Sequence, residues 1–417
     1  MADAVFLTGA TGFIGGELLR QLLARARPPR IYALCRARDE ADLSRRGREV
    51  LFKLYREDTE RMRRAAAHVR WVRGDLAAEG LGLEPAVREE IEAEAELVLH
   101  AAASTQFDLS AEDARRINYD GARRVLELAQ AAGRRGRLRR FVHVSTAYVA
   151  GRRRGRVYEH ELPGPRGPFN NTYEMTKAAA ERLLRAHMGE VPITVCRPSI
   201  VVGDSTTGRT YNFNVLYYPI KLQYRGLMPY VPGLATTTLD IVPVDYVAEA
   251  VLVLAGLPEA EGGTYHLTAA EDAMPLAQFI ERTRALFNRR RAELGEPPLE
   301  PTRIVGPWRW RLIRWWLRRR LPRRARQQLE AFQLYLPYLL TDKVFDNTEA
   351  RRLLAGRVAY PPVSSYLDRV AEYAVTREWG RRVSWDPALL ESGLWHGAAA
   401  EPLPEPGAPA ASEGAAR

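Results

Sequence analysis

The 417-residue sequence predicts an α/β fold: a doubly wound parallel sheet, with a smaller and mainly helical region toward the C-terminus. Three observations predict it. Short apolar runs alternate with amphipathic stretches from Val5 to Leu267, with no hairpin signal between them. Three glycines, Gly9, Gly12 and Gly15, join the first apolar run to the first amphipathic stretch. Beyond about residue 268 the strand-like runs give way to helical spacing, interrupted by a segment dense in Trp and Arg.

The composition, 46% hydrophobic and 27% charged, is that of a soluble globular protein. No apolar run reaches the roughly 18 residues of a spanning helix. The first strand begins so close to Met1 that no signal peptide is expected. The two cysteines, Cys35 and Cys196, fall in strand-like runs and read as buried thiols. No zinc-type spacing occurs, so no metal is expected. These features predict a cytoplasmic protein, or one peripheral on the cytosolic face of a membrane. The net charge of +11 is concentrated, because residues 303–326 hold ten arginines and no acid. No nucleic-acid partner is expected.

Residues 5–16, VFLTGATGFIGG, read as strand, glycine turn and helix, the order of a Rossmann-type dinucleotide site. Thr8, Gly9, Thr11, Gly12, Phe13, Ile14 and Gly15 are its candidate cofactor residues. Gly9 makes the tight turn, Gly12 lets the backbone approach a pyrophosphate, and Gly15 lets the helix pack on the strand. A second strand, 31–35, ends in Arg36, with Arg38 two residues on. NAD-preferring sites place an acid there, whereas arginine suits a ribose 2′-phosphate, so NADPH is expected. Asp39 and Glu40 close behind weigh the other way.

Residues 51–67 read as one charged surface helix, 69–72 as a third strand, 84–94 as a helix and Leu97–His100 as a fourth strand. That strand runs into Ala101, Ala102 and Ala103, small enough to let a cofactor lie against the backbone. Residues 111–132 read as one long helix carrying Asn118, and 141–145 as a fifth strand that meets Thr146. After a polar loop containing Arg152, Arg153 and Arg154 come a helix over 171–188 and a sixth strand over 193–197. Residues 206–239 show no clear period and read as a substrate-side insertion. A helix over 244–254 and a strand at Thr264–Leu267 return to the sheet. The expected domains are therefore 1–205 with 240–267 for the dinucleotide, 206–239 with 268–395 for substrate, and a disordered Ala/Pro/Glu/Gly-rich tail, 396–417.

Tyr173 and Lys177 stand four apart in NTYEMTKAAAE, on one face of a helix. With 18 tyrosines and only four lysines (Lys53, Lys177, Lys221 and Lys343), chance would place such a pair well under once. A nearby ammonium favours phenolate, so Lys177 is expected to lower the Tyr173 pKa and make it a working acid. Lysine is also a compact partner for a ribose hydroxyl, which the guanidinium fork copies poorly. Thr146 ends the fifth strand, where open α/β sheets bind ligands, and its hydroxyl suits a developing oxyanion. Ser145 points to the other side of an extended chain. Asn118 is a candidate anchor for a water or backbone group near Lys177.

Together these residues resemble the extended short-chain dehydrogenase/reductases. Within them, HAAASTQFD (100–108), VSTAYVAG (144–151), CRPSIVVG (196–203), LDIVPVDYVAEA (239–250) and FDNTEARRLL (345–354) are similar to the male-sterility-type fatty acyl-CoA reductases and the related carrier-protein thioester reductases. The resemblance covers residues 5–265 well and the remainder loosely. It implies NADPH and a long-chain acyl-CoA or acyl-carrier-protein thioester. It puts Thr146 and Tyr173 at the carbonyl oxygen and Lys177 at the nicotinamide ribose. It also implies Asp75 and Leu76 at the adenine, and Pro198, Ser199 and Ile200 beside the nicotinamide. Reduction of the thioester would release a thiol and an aldehyde, with the step to an alcohol left open. No adenylation or carrier domain is expected ahead of the reductase, so the activated acyl group is expected from elsewhere.

Other members of the wider class, hydroxysteroid dehydrogenases and nucleotide-sugar epimerases, share the same catalytic residues. The 239–250 stretch and the basic Trp-bearing region argue against a sugar. A non-catalytic NADPH-binding protein has no use for the intact Thr/Tyr/Lys set. Finally, 307–326, PWRWRLIRWWLRRRLPRRAR, predicts a helix that Pro322 ends. Trp308, Leu312, Trp315 and Trp316 share one face, with Arg319 intruding, while Arg311, Arg314 and Arg318 share another. Trp310, Ile313 and Leu317 form a second strip suited to the protein core. This composition predicts contact between 308–326 and an anionic membrane surface.

Overall fold

The computed structural model describes residues 2–380, apart from 56–57, 214–215, 235 and 341. The expected tail, 396–417, and the last part of the helical region, 381–395, lie outside the described residues.

Each of the seven apolar runs becomes a strand: β1 (Ala4–Thr8), β2 (Arg30–Cys35), β3 (Val69–Arg73), β4 (Leu97–His100), β5 (Arg140–Val144), β6 (Ile193–Pro198) and β7 (Thr264–Leu267). They form one sheet in the order β7-β6-β5-β4-β1-β2-β3, and every neighbouring pair is parallel. Parallel connections require crossovers, which the helices α1 (Phe13–Leu23), α2 (Glu40–Tyr55), α3 (Thr59–His68), α4 (Pro85–Glu94), α5 (Asp120–Arg134) and α6 (Thr172–Arg185) supply. Alternation along β1 sends Val5 and Leu7 into one face core and Phe6 into the other, as a sheet covered on both sides demands. The strand order reverses between β1 and β4. A crevice at their C-terminal ends is where such sheets take ligands.

The expected single helix over 51–67 is two, α2 and α3. Asp58 accepts from the Arg61 N–H and starts the second, a capping signal that helical periodicity overrode. The expected continuous helix over 111–132 contains a π-turn, Arg115–Tyr119, ahead of α5. The wider turn carries Asn118 inward. Residues 206–239 are not without order, for they contain α7 (Tyr217–Tyr224) and a strand, Tyr230–Pro232, paired with Arg303–Val305. A two-turn helix and a strand with so distant a partner leave no local period to read.

After α8 (Val244–Gly256) and β7 the chain is mainly helical: α9 (Leu276–Glu293), α10 (Pro307–Arg320), α11 (Arg323–Gln333) and α12 (Val363–Thr376). Their apolar faces meet α7 in a separate core that includes Tyr217, Phe279, Phe287, Trp310, Phe332 and Tyr366. Both cysteines are buried free thiols.

Candidate active site

The glycine turn is dictated by contact. Gly9 has φ +83°, and a Cβ there would lie 2.7 Å from the backbone of Ala101 and Ala102. A Cβ on Gly15 would lie 2.0 Å from the Gly9 carbonyl oxygen, so α1 packs on the turn only without one. Gly12 differs: it caps α1 in an extended conformation, and a Cβ on it would touch only the Gly9 oxygen, at 3.2 Å. Its open side faces a pocket, also lined by Phe13, Ile14 and Ala101. The small residues after β4 thus serve the turn itself as well as the pocket.

The far wall of that pocket comes from β5, β6 and α6. Thr146 follows β5 in extended conformation, and its Oγ1 accepts from the Tyr148 N–H at 3.3 Å. Tyr173 and Lys177 reach the same cavity from the first turns of α6, which Asn171 caps by accepting from the Glu174 N–H. Pro198, Ser199 and Ile200 close it at the end of β6. Ser145 turns its hydroxyl away to Glu181 at 2.9 Å, as alternation along the strand predicts.

The electrostatics differ from the expectation in one respect. Burial pushes the Tyr173 phenol up to about 12; the Thr146 hydroxyl hydrogen-bonded to it pulls the other way, and the Glu174 charge adds to the rise. Lys177 does not lower it. Its ammonium points beneath the pocket, donating to the Val144 carbonyl at 2.7 Å and meeting His143 Nε2 at 3.2 Å. Burial brings Lys177 itself down to about 7, against the opposing charge of Glu181. A lysine desolvated this far is a poor source of positive potential.

Asn118 stands behind the pocket. Its Oδ1 accepts from the Ser104 N–H at 2.8 Å, and its Nδ2 donates to the Ser104 carbonyl and to Thr176 Oγ1, both at 3.1 Å. It anchors a backbone group, and reaches the residue beside Lys177 rather than Lys177 itself. Past the C-terminal end of β2 Arg36 is exposed, and Arg38 is exposed with its Nε 3.7 Å from Asp42. Thr11 is exposed on the glycine turn, and Thr8 Oγ1 bonds His100 within the sheet. Asp75 caps its own turn by accepting from the Ala77 N–H, and Leu76 packs beneath Gly121. Of the loop arginines, Arg153 pairs with Glu161.

Three aromatic residues of the pocket wall escaped the sequence reading. Phe107 lies 5.9 Å from the Tyr173 ring and 5.7 Å from Tyr338, and Tyr148 meets Tyr338 edge-on at 4.9 Å. The Tyr338 hydroxyl donates to Glu174 Oε1 at 2.8 Å and accepts from Asn171 Nδ2 at 2.9 Å, tying the C-terminal region to the start of α6. Phe107 and Tyr148 lie inside the quoted motifs. Tyr338 has no local signal, since only the tertiary fold brings it here.

The sheet order, the glycine turn and the Tyr173/Lys177 helix define an NAD(P)-binding domain of the extended short-chain dehydrogenase/reductase class. The chain belongs to the male sterility protein family, whose model matches residues 7–251. It is 25% identical to the alcohol-forming fatty acyl-CoA reductase of Simmondsia chinensis over 93% of this chain and 95% of that one. It is 27% identical to the fatty acyl-CoA reductase wat of Drosophila melanogaster, over 60% of this chain and 53% of that one. The chain thus spans about half the length of curated relatives of the latter kind. Among solved structures, the terminal R domain of the myxalamid PKS-NRPS pathway superposes with a TM-score of 0.75 at 27% identity, covering 92% of this chain and 93% of that one.

Proposed function

We propose that the chain is an NADPH-dependent reductase of fatty acyl thioesters, carried by CoA or by an acyl-carrier protein, that forms an aldehyde; product analysis decides whether it continues to the alcohol. The observation that carries this reading is the pairing of the Thr146 and Tyr173 hydroxyls in one pocket, opposite the open face of Gly12.

The residues suit NADPH. Gly12 leaves room at the N-terminus of α1, whose free N–H groups favour a pyrophosphate, and Arg36 and Arg38 offer exposed cations to a 2′-phosphate. When bound, the cofactor supplies hydride. Thr146 and Tyr173 then meet the carbonyl oxygen as it gains charge, two donors aimed at one developing oxyanion. A phenol held near 12 keeps its proton at neutral pH, so Tyr173 enters the reduction as an acid. Lys177 holds the adjoining wall from beneath. Phe107, Tyr148 and Tyr338 give the pocket an apolar side suited to an acyl chain and to the exclusion of water. The reductases similar to this chain are named for fatty acyl-CoA, which supports this substrate class. Side-by-side turnover with palmitoyl-CoA, palmitoyl-carrier protein, a UDP-sugar and a sterol tests the reading. Turnover confined to the thioesters supports it; turnover of the sugar or sterol alone overturns it.

For location we propose the cytosolic face of an anionic membrane, reached through 308–326. Trp308, Leu312, Trp315 and Trp316 on α10 are 63%, 59%, 58% and 50% exposed, and exposed Arg309, Arg311, Arg318, Arg319 and Arg320 surround them. On the opposite strip Trp310 and Ile313 join the C-terminal core, and Leu317 lines a pocket that Leu312 and Trp316 also reach. Tryptophan ringed by arginine is the chemistry of an interfacial helix. No described helix is long and apolar enough to cross a membrane.

A further inference from the structure

Beneath the pocket, three adjacent strands bring three polar side chains into register. Thr8 on β1 pairs with His100 on β4, and His100 pairs with His143 on β5, so all three point to one face of the sheet. Thr8 Oγ1 lies 2.7 Å from His100 Nδ1, the two imidazoles are 5.1 Å apart, and His143 Nε2 lies 3.2 Å from Lys177 Nζ. All four residues are buried. The reduction as described uses neither histidine, and Asn118, the residue expected beside Lys177, is committed to Ser104 and Thr176.

We propose that His143, with the His100 ring packed against it, is the positioning residue of Lys177: a neutral imidazole that receives the amine from inside the sheet, where no carboxylate among the described residues hydrogen-bonds it. The inference rests on reading Lys177 as a site residue and is independent of the substrate. An ammonium has three donors; one goes to the Val144 carbonyl, and with the His143 proton on Nδ1 a second goes to His143 Nε2. Nε2 accepts only while the ring is neutral. Burial, with the Lys177 charge next, holds His100 down to about 3 and His143 well below the usual histidine range. His143 Nδ1 is buried with no hydrogen-bond partner, so no hydrogen-bonded path leads on from the ring, and the pair positions the lysine and does not relay.

The other charged groups around the amine are already engaged. Glu181, one turn further along α6, is bound by Arg197 from β6, by Arg185 and by the Ser145 hydroxyl. Tyr173, one turn back, keeps its proton, and its neighbour Glu174 accepts from Tyr338. The bond to His143 is therefore one of two that favour the charged amine over the neutral one. Its loss must make the proton leave at lower pH.

The four-lysine composition makes this directly measurable. Protein labelled with carbon-13 at the lysine ε-carbon is titrated by NMR without cofactor or substrate, and Lys177→Arg identifies the signal. The wild-type Lys177 midpoint is expected near 7. His143→Phe lowers it by about one pH unit, and His143→Gln, which restores an acceptor, recovers part of that shift. Should His143→Phe fail to fold, His143→Asn, too short to reach the amine, must lower the midpoint instead. An unchanged midpoint in a folded His143→Phe or His143→Asn overturns the proposal. Because the readout needs no substrate, failure of the thioester assignment leaves this result untouched.

Discussion

Burial, rather than mutual attraction, sets the protonation of Tyr173 and Lys177. The phenol is driven upward and keeps its proton; the amine is driven downward and sits close to losing its own. Removing the phenolic hydroxyl in Tyr173→Phe should leave cofactor affinity intact and cut turnover on the order of 10²- to 10⁴-fold, as for loss of a positioned acid. Steady-state rates alongside a cofactor titration check this, and near-native turnover would remove Tyr173 from the role. Lys177→Arg should also fail, because a planar fork does not fit between Val144 and His143. Past the end of β2, Arg36→Asp should weaken NADPH binding far more than NADH binding. Equal affinity of the wild type for both cofactors would contradict that assignment.

Among the elements, two joints carry testable weight. Glu159, in the loop ahead of α6, accepts from the N–H groups of His266, Glu349 and Ala350 at 2.9, 2.8 and 3.1 Å, clasping β7 to the 345–354 motif. Glu159→Ala strands three donors, so a loss of roughly 2–4 kcal/mol is expected by denaturant unfolding. The second joint is α10, whose outer strip lies open. The wild type should float with anionic liposomes at low salt. A variant with Trp315, Trp316, Arg311, Arg314 and Arg318 changed to Ser should remain below. A folded wild type that stays at the bottom of the gradient would reject the membrane location. The same helix shows what periodicity can reveal: its two apolar strips were legible in the sequence because each repeats locally. The break between α2 and α3 and the π-turn around Asn118 were not, since a cap and a widened turn each depend on one or two side chains.

For the whole molecule, the buried titratable groups set the pH response. His100 and His266 are held down to about 3, His143 is also depressed, and Lys177 falls to about 7. Depressed folded values give stability that is present above each group's ordinary value and lost as pH falls. Glu159 and Asp240 are raised by burial to about 7 and about 6, so their share is present at low pH and lost as pH rises through those values. Three histidines and a lysine outweigh two carboxylates. The thermal midpoint should therefore be higher at about pH 8 than at about pH 5.5, and the reverse order would contradict this balance.

At this scale the sheet was legible from β1 to β7, because apolar runs and glycine contacts are local. Tyr338 and the His100–His143 pair were not. The first reaches Glu174 from a remote segment, and the histidines read as ordinary strand residues until β4 and β5 are set side by side.

The central claim, hydride delivery to a thioester carbonyl at Thr146 and Tyr173, is tested most directly with NADPH carrying deuterium at its transferable position and palmitoyl-CoA as substrate. Mass spectrometry should find deuterium on the former carbonyl carbon of the aldehyde or alcohol product, with free CoA released in step, and both formed far more slowly by Tyr173→Phe. Release of CoA without deuterium in the product, or no consumption of NADPH with any acyl thioester, would contradict the account.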